Sequence, residues 1–284
     1  MKRLIVMLVL GCMALGAAFA RGTSETGGGG NSSQAPAAPA PYTIEVSGST
    51  SVSPLMELLA AAYKKLRGNV TININGTGSS DGIKAAAAGT SELGMSSREL
   101  SATEKGLGLT ELVIAIDGIA VIVNGNNPVA NLTLEQIRDV YTGVITDWSA
   151  VTGGAKKGKI AVVSREPGSG TRGAFEEIVK FQDKLLAGAT EFDGTGAVKA
   201  EVSRNADAIG YISLGSVDTS VKTVNVNGVA ASTANVVNGT YKIARPFIVL
   251  YKKAAVKPET QSFLTWIMSA EAQKIVGKSW ISVK

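Results

Sequence analysis

Ile160-Ala161-Val162-Val163-Ser164-Arg165-Glu166-Pro167-Gly168-Ser169-Gly170-Thr171-Arg172-Gly173-Ala174-Phe175-Glu176-Glu177-Ile178-Val179 reads as strand, turn and helix in one unbroken stretch. The apolar run at its start predicts a buried strand, and the spacing of Ala174, Phe175, Ile178 and Val179 predicts a helix. Between them stand Arg165 and Arg172, three hydroxyl residues and three glycines. Glycines let backbone approach closely, the first N–H groups of a helix lack intrahelical partners, and the helix dipole favours negative charge. The segment therefore predicts a cradle for a small oxyanion.

The same layout recurs upstream. The strand Thr43-Ile44-Glu45-Val46 runs into Ser47-Gly48-Ser49-Thr50-Ser51, after which Ser53 is expected to cap a helix with Pro54 at its first position. Val70 to Ile74 predicts a strand that empties through Gly76-Thr77-Gly78-Ser79-Ser80-Asp81-Gly82 into an alanine-rich helix from Ile83 to Ala88. Glu92 to Met95 predicts a short strand ending at Ser96-Ser97-Arg98. Alternation of strand and helix makes this an α/β chain, in which the carboxyl ends of the strands share one edge, so these four turns are expected to surround one ligand.

Further along, Leu112 to Val123 reads as two strands, and Thr133-Leu134-Glu135-Gln136 is a capping box opening a helix through Tyr141. Strands are expected at 208–212, 222–226 and 247–251, and a closing helix pair over about 259–276. The chain has no internal repeat and no second linker. Any division into lobes must come from strands that cross between them.

Composition removes whole classes of function. With no histidine and a single cysteine, Ser-His and Cys-His nucleophiles, histidine metal sites and an intrachain disulfide are excluded. The string Gly78-Ser79-Ser80-Asp81-Gly82 matches the G-x-S-x-G elbow but lacks its base. Gly168, Gly170 and Gly173 match a dinucleotide fingerprint that sits too late in the fold and has an arginine and a proline at its opening. No phosphate-binding G-x-x-x-x-G-K-[ST] string and no carboxylate cluster at metal-ligand spacing is present. No enzyme activity, cofactor or metal is predicted. A net charge of +5 and 5% aromatic residues are too mild for a nucleic-acid surface but do not oppose an anion.

Lys2-Arg3, the apolar run from Leu4 to Phe19 and Ala18-Phe19-Ala20 predict a signal peptide over 1–20, the run being shorter than the ~20 residues of a membrane span. Cys12, after Val9-Leu10-Gly11, offers the alternative of a lipidated N-terminus. Residues 21–41, rich in Gly, Ser, Ala and Pro, predict a disordered tether. The location expected is periplasmic or otherwise extracytoplasmic, with membrane tethering if Cys12 is lipidated.

At Ser47-Gly48-Ser49-Thr50-Ser51-Val52, Gly76 to Gly82, Leu93 to Leu100, Leu132 to Gly143 with Trp148, the anion loop and Ala208-Ile209-Gly210-Tyr211, the sequence resembles the phosphate-binding proteins of bacterial ABC phosphate transporters. The resemblance covers roughly residues 43–284. It implies a two-lobed periplasmic binding protein of type II, with a mixed sheet in each lobe and two hinge strands. Lobe 1 would take 42–121 and 246–284, and lobe 2 would take 122–245. It implies inorganic phosphate as ligand, a membrane permease as partner, no nucleic acid and a monomer. Sulfate or molybdate is the alternative ligand, and a secreted phosphate-processing enzyme a more distant one. Carried over by motif, Thr50, Ser51 and Ser79 offer hydroxyls and N–H groups, Arg165 is the cationic partner, and Ser169, Gly170 and Thr171 cradle the remaining oxygens. Many family members place an aspartate after the serine equivalent to Ser96, where it accepts the phosphate proton. Here Ser97 stands in that place and is expected to bind an oxygen directly, with Arg98 and Asp81 as further candidates. Arg98 reads equally as an ion-pair partner, and Arg172 as a brace for its loop.

Overall fold

A computed structural model describes residues 39–284; the expected leader, Cys12 and most of the 21–41 tether lie outside them. The strand–turn–helix units predicted by pattern are all present. The chain runs β1 (Tyr42–Gly48), α1 (Ser53–Leu66), β2 (Val70–Gly76), α2 (Ser79–Ala88), β3 (Leu93–Ser96), α3 (Ala102–Lys105) and β4 (Thr110–Val123). Next come β5 (Asn131–Leu132), α4 (Leu134–Tyr141), α5 (Ser149–Thr152), β6 (Ala161–Arg165), α6 (Gly170–Val179), β7 (Thr190–Phe192) and α7 (Thr195–Arg204). β8 (Ala208–Ser213), a 3₁₀ turn (Leu214–Ser216), β9 (Lys222–Thr223), β10 (Asn225–Val226), α8 (Thr233–Val237), β11 (Ala244–Tyr251), α9 (Pro258–Ile267) and α10 (Ala270–Val276) complete it.

The principal sheet has the order β2-β1-β3-β11-β4-β8-β6-β7, with β9 added beside β4. β1 pairs in parallel with β2 and β3, and β6 in parallel with β7 and β8. The antiparallel pairs β3–β11, β11–β4 and β4–β8 join these two parallel halves. The expected pair of strands at Leu112 to Val123 is therefore one 14-residue strand that changes partner. Its first part, Thr110 to Gly118, pairs with β11, and from Ile119 onward it pairs with β8. A continuous apolar run records burial on both faces but not a change of neighbour.

Apolar side chains sort by this division. Ile44, Val46, Leu55, Leu59, Ile114, Phe247 and Phe263 form one core with α1, α9 and α10. Ile119, Val121, Ile137, Tyr141, Phe175, Ile209 and Tyr211 form another with α4 and α6. The period-2 alternation of strands puts Ala120 and Ile122 on the opposite face against Val198 and Val202 of α7. Ile248 and Leu250 likewise meet Ile83 and Ala86 of α2. Helices thus cover both faces of both halves, which is why the strands read as nearly continuous hydrophobic runs.

Three further details differ from expectation. Val52, not Ser53, is the N-cap of α1, and the Ser53 hydroxyl turns back to the Ser49 carbonyl at 3.1 Å. The helix expected from Ile83 begins at Ser79. The strand expected over Lys222 to Val226 divides into β9 and β10, which join different sheets. The Thr133–Gln136 capping box forms as predicted.

Candidate functional site

Five strands, β1, β2, β3, β6 and β7, run into turns that meet between the two cores. From the first half come the β1–α1 turn, the start of α2 and the end of β3. Gly48, at φ +135°, turns the chain out of β1; a Cβ there would lie 2.3 Å from the Met95 carbonyl oxygen, so only glycine fits. The turn places Ser49 beside β3, where its hydroxyl donates to Ser97 Oγ at 2.8 Å and its N–H donates to the Met95 carbonyl at 2.9 Å. Ser79, on the first turn of α2, accepts the Ser97 N–H at 3.1 Å, and its Oγ lies 3.4 Å from Ser97 Oγ. Ser49, Ser51, Ser79 and Ser97 are all buried.

From the second half come the end of β6 and the starts of α6 and α7. Arg165 is 1% exposed. Its Nε and Nη2 grip the two oxygens of Glu166 at 2.7 Å each, so the adjacent carboxylate balances its charge. Its Nη2 also donates to Thr50 Oγ1 at 3.0 Å, and its Nη1 to Thr195 Oγ1 at 3.2 Å. Ser169 caps α6 by accepting the Arg172 N–H at 3.2 Å, leaving Gly170 and Thr171 on the first turn. Behind them Tyr211 stacks on Phe175, centroids 4.0 Å apart, and its hydroxyl lies 2.8 Å from Ser164 Oγ. Burial pushes the Tyr211 phenol up to about 12, so it stays a neutral prop for the end of β6.

The halves touch through hydroxyls. Ser51 Oγ lies 2.7 Å from Thr171 Oγ1 and 2.9 Å from Thr195 Oγ1. The Ser80 N–H donates to the Gly168 carbonyl at 3.1 Å. Gly170 comes so close that a Cβ there would fall 2.2 Å from Ser79 Oγ and 2.8 Å from Ser97 Oγ. The structure therefore brings together Thr50, Ser51, Ser79, Ser97, Arg165, Ser169, Gly170 and Thr171, the set selected from sequence.

The two further candidates sit differently. Arg98 forms a two-pronged pair with Glu104, at 2.7 and 2.8 Å, and donates to Ser80 Oγ at 3.2 Å. Asp81 is exposed beside Lys84 and lines, together with Thr50 and Glu166, a cavity of about 680 Å³. Arg172 braces the loop: it binds Glu176 and Glu191 and donates to the Arg165 carbonyl at 2.9 Å. Sequence reading missed Ser49, Glu166 and Thr195. The signal for Thr195 was a Gly-Thr step at a helix start, the layout already noticed in the other turns.

Chemically, the cluster is a ring of hydroxyls and helix-start N–H groups around one charge-balanced guanidinium. Hydroxyls and helix-start N–H groups of this kind are the donors a small anion requires, and they need no large positive field. Among the described residues no group of three or more Cys, Asp or Glu side chains is placed to hold a metal ion. No described helix is long and apolar enough to cross a membrane.

A model of the PBP superfamily domain matches residues 32–271. The Pseudomonas aeruginosa phosphate-binding protein PstS is 32% identical over 258 residues, covering 81% of this chain and 80% of that protein. The Streptococcus agalactiae phosphate-binding protein PstS 2 is 44% identical over 146 residues, so the chain spans about half (50%) of that relative. A crystal structure from Clostridium perfringens, described as a putative phosphate ABC transporter substrate-binding protein with bound phosphate, is 50% identical. It superposes with a TM-score of 0.83 over 85% of this chain and 100% of that one.

Proposed function

The chain belongs to the PBP superfamily and, within it, to the PstS phosphate-binding proteins, and from that premise we propose that it captures inorganic phosphate outside the cytoplasmic membrane and delivers it to an ABC permease. The observation that carries this reading is the hydroxyl ring closed around Arg165 at the meeting of helix starts. A buried anion is tolerated only when its oxygens are hydrogen-bonded throughout. Thr50, Ser51, Ser79, Ser97, Ser169, Gly170 and Thr171 supply those bonds, and Arg165 supplies the charge-assisted one. At roughly 1.5–3 kcal/mol each, a few such bonds less the cost of ordering support an affinity of about 1 μM.

Lobe boundaries at 42–121 with 246–284, and at 122–245, belong to the same proposal; two separate apolar cores support a division into lobes, with Ile119 and Val121 packing into the second core. So do action as a monomer, the absence of catalysis, and membrane attachment or release set by Cys12 or Ala20. Titration calorimetry with phosphate, sulfate and molybdate tests the reading. Saturable binding of phosphate in preference to the other two is expected. Binding of sulfate or molybdate without phosphate would replace the ligand, and hydrolysis of a phosphomonoester would replace the class.

A further inference from the structure

We propose that Thr195, at the start of α7, is a further anion-contacting residue of this site, an assignment that rests on the phosphate reading above. Thr195 is 6% exposed and faces the ring. Its Oγ1 accepts from Arg165 Nη1 at 3.2 Å and lies 2.9 Å from Ser51 Oγ and 3.4 Å from Thr50 Oγ1. Its own N–H donates to Thr50 Oγ1 at 3.2 Å. Ser51 is thus bracketed by two threonines on the first turns of two different helices, Thr171 of α6 at 2.7 Å and Thr195 of α7 at 2.9 Å. What qualifies Thr171 for the site qualifies Thr195 equally.

Donor bookkeeping on Arg165 leads to the same residue. A guanidinium has five N–H bonds. Two go to Glu166, one to Thr50 and one to Thr195. The remaining N–H is the second one on Nη1. An anion oxygen that accepts it sits beside Thr195 Oγ1, because both bonds leave the same nitrogen. The Thr195 hydroxyl already accepts from Arg165; with Ser51 as the donor in the bond between them, its own proton is left to give to that oxygen. α7 adds its dipole: it is ten residues long, and its N-cap, Gly194 at φ +82°, has no side chain of its own to cap the first turn.

The test is calorimetric titration of phosphate into the parent protein, Thr195→Val and Thr195→Ser, with thermal unfolding of each without phosphate. Thr195→Val keeps the branched shape and replaces the hydroxyl with a methyl group. It is expected to bind phosphate about tenfold or more weakly, the worth of one hydrogen bond to a charged group, while its unfolding curve without phosphate shows a single cooperative transition, shifted by no more than the loss of one buried hydrogen bond. Thr195→Ser is expected to bind within about threefold of the parent. Parent-like affinity in Thr195→Val overturns the assignment and leaves the receptor reading intact; a parent protein that binds no phosphate overturns the receptor reading itself. Should Thr195→Val fail to fold, the Thr195 methyl and amide NMR signals of the parent decide. Shifts that saturate with phosphate support the contact, and signals that do not move overturn it.

Discussion

Arg165 and Gly170 show what single residues contribute. Arg165 is the one guanidinium in the ring with an N–H still to give, so Arg165→Ala should weaken phosphate binding at least about tenfold in calorimetry. Gly170→Ala acts by volume instead. The added methyl would lie 2.2 Å from Ser79 Oγ, a contact that exists only when the halves are together. The variant should unfold at the parent temperature without phosphate yet lose most of the rise that phosphate gives the parent. Most of this site was legible because glycines and hydroxyls between an apolar run and a helical run mark a helix-start anion cradle. Thr195 was not, because Asp193-Gly194-Thr195 follows a three-residue strand too short to read as one. Glu166 was overlooked for a different reason: a carboxylate next to an arginine in sequence reveals nothing of the two-pronged pair it forms.

Elements contribute through their ends. Thr133 and Gln136 exchange reciprocal bonds of 3.0 and 2.8 Å at the start of α4, and Thr133→Ala should cost about 1 kcal/mol of stability in denaturant melts. α3 is held in a similar way, with Glu104 serving both the Ser101 N–H and Arg98. The Arg98 guanidinium holds the Glu104 carboxyl down to about 2 from its ordinary 4.5. A carboxyl lowered by folding stabilises fully above its unfolded value, and that contribution fades as pH falls from about 4.5 towards 2. Thermal melts should show Glu104→Gln less stable than the parent at pH 7, with the gap closing as pH 2 is approached. The capping boxes were legible because their spacing is local. The continuity of β4 was not, because it depends on which strands arrive on either side, and β11 lies more than a hundred residues further along the chain.

At the scale of the whole molecule, the two crossing segments are tied by a buried pair. Asp117 on β4 accepts from Arg245 Nη2 at 3.1 Å and Nε at 3.3 Å, and from the Ser213 hydroxyl at 2.8 Å. Burial brings Arg245 down to about 10, so it remains charged at neutral pH. Asp117→Ala, which strands that charge, should cost about 3–5 kcal/mol, and pairing Asp117→Leu with Arg245→Met should recover much of it in denaturant melts. If the halves move about this pair, X-ray scattering should register a smaller radius of gyration with phosphate than without. The strand order carries one more consequence, for the sequence of events as the chain is made. β11, the last strand synthesised, occupies the middle of the sheet, between β3 and β4. Until residue 251 is available, β3 has an open edge and the first core lacks Phe247, Val249 and the closing helices. The N-terminal half is synthesised first but cannot complete its packing until nearly the whole chain exists. If the chain is exported as proposed above, that delay favours its reaching the export machinery unfolded, with the sheet completed only after crossing.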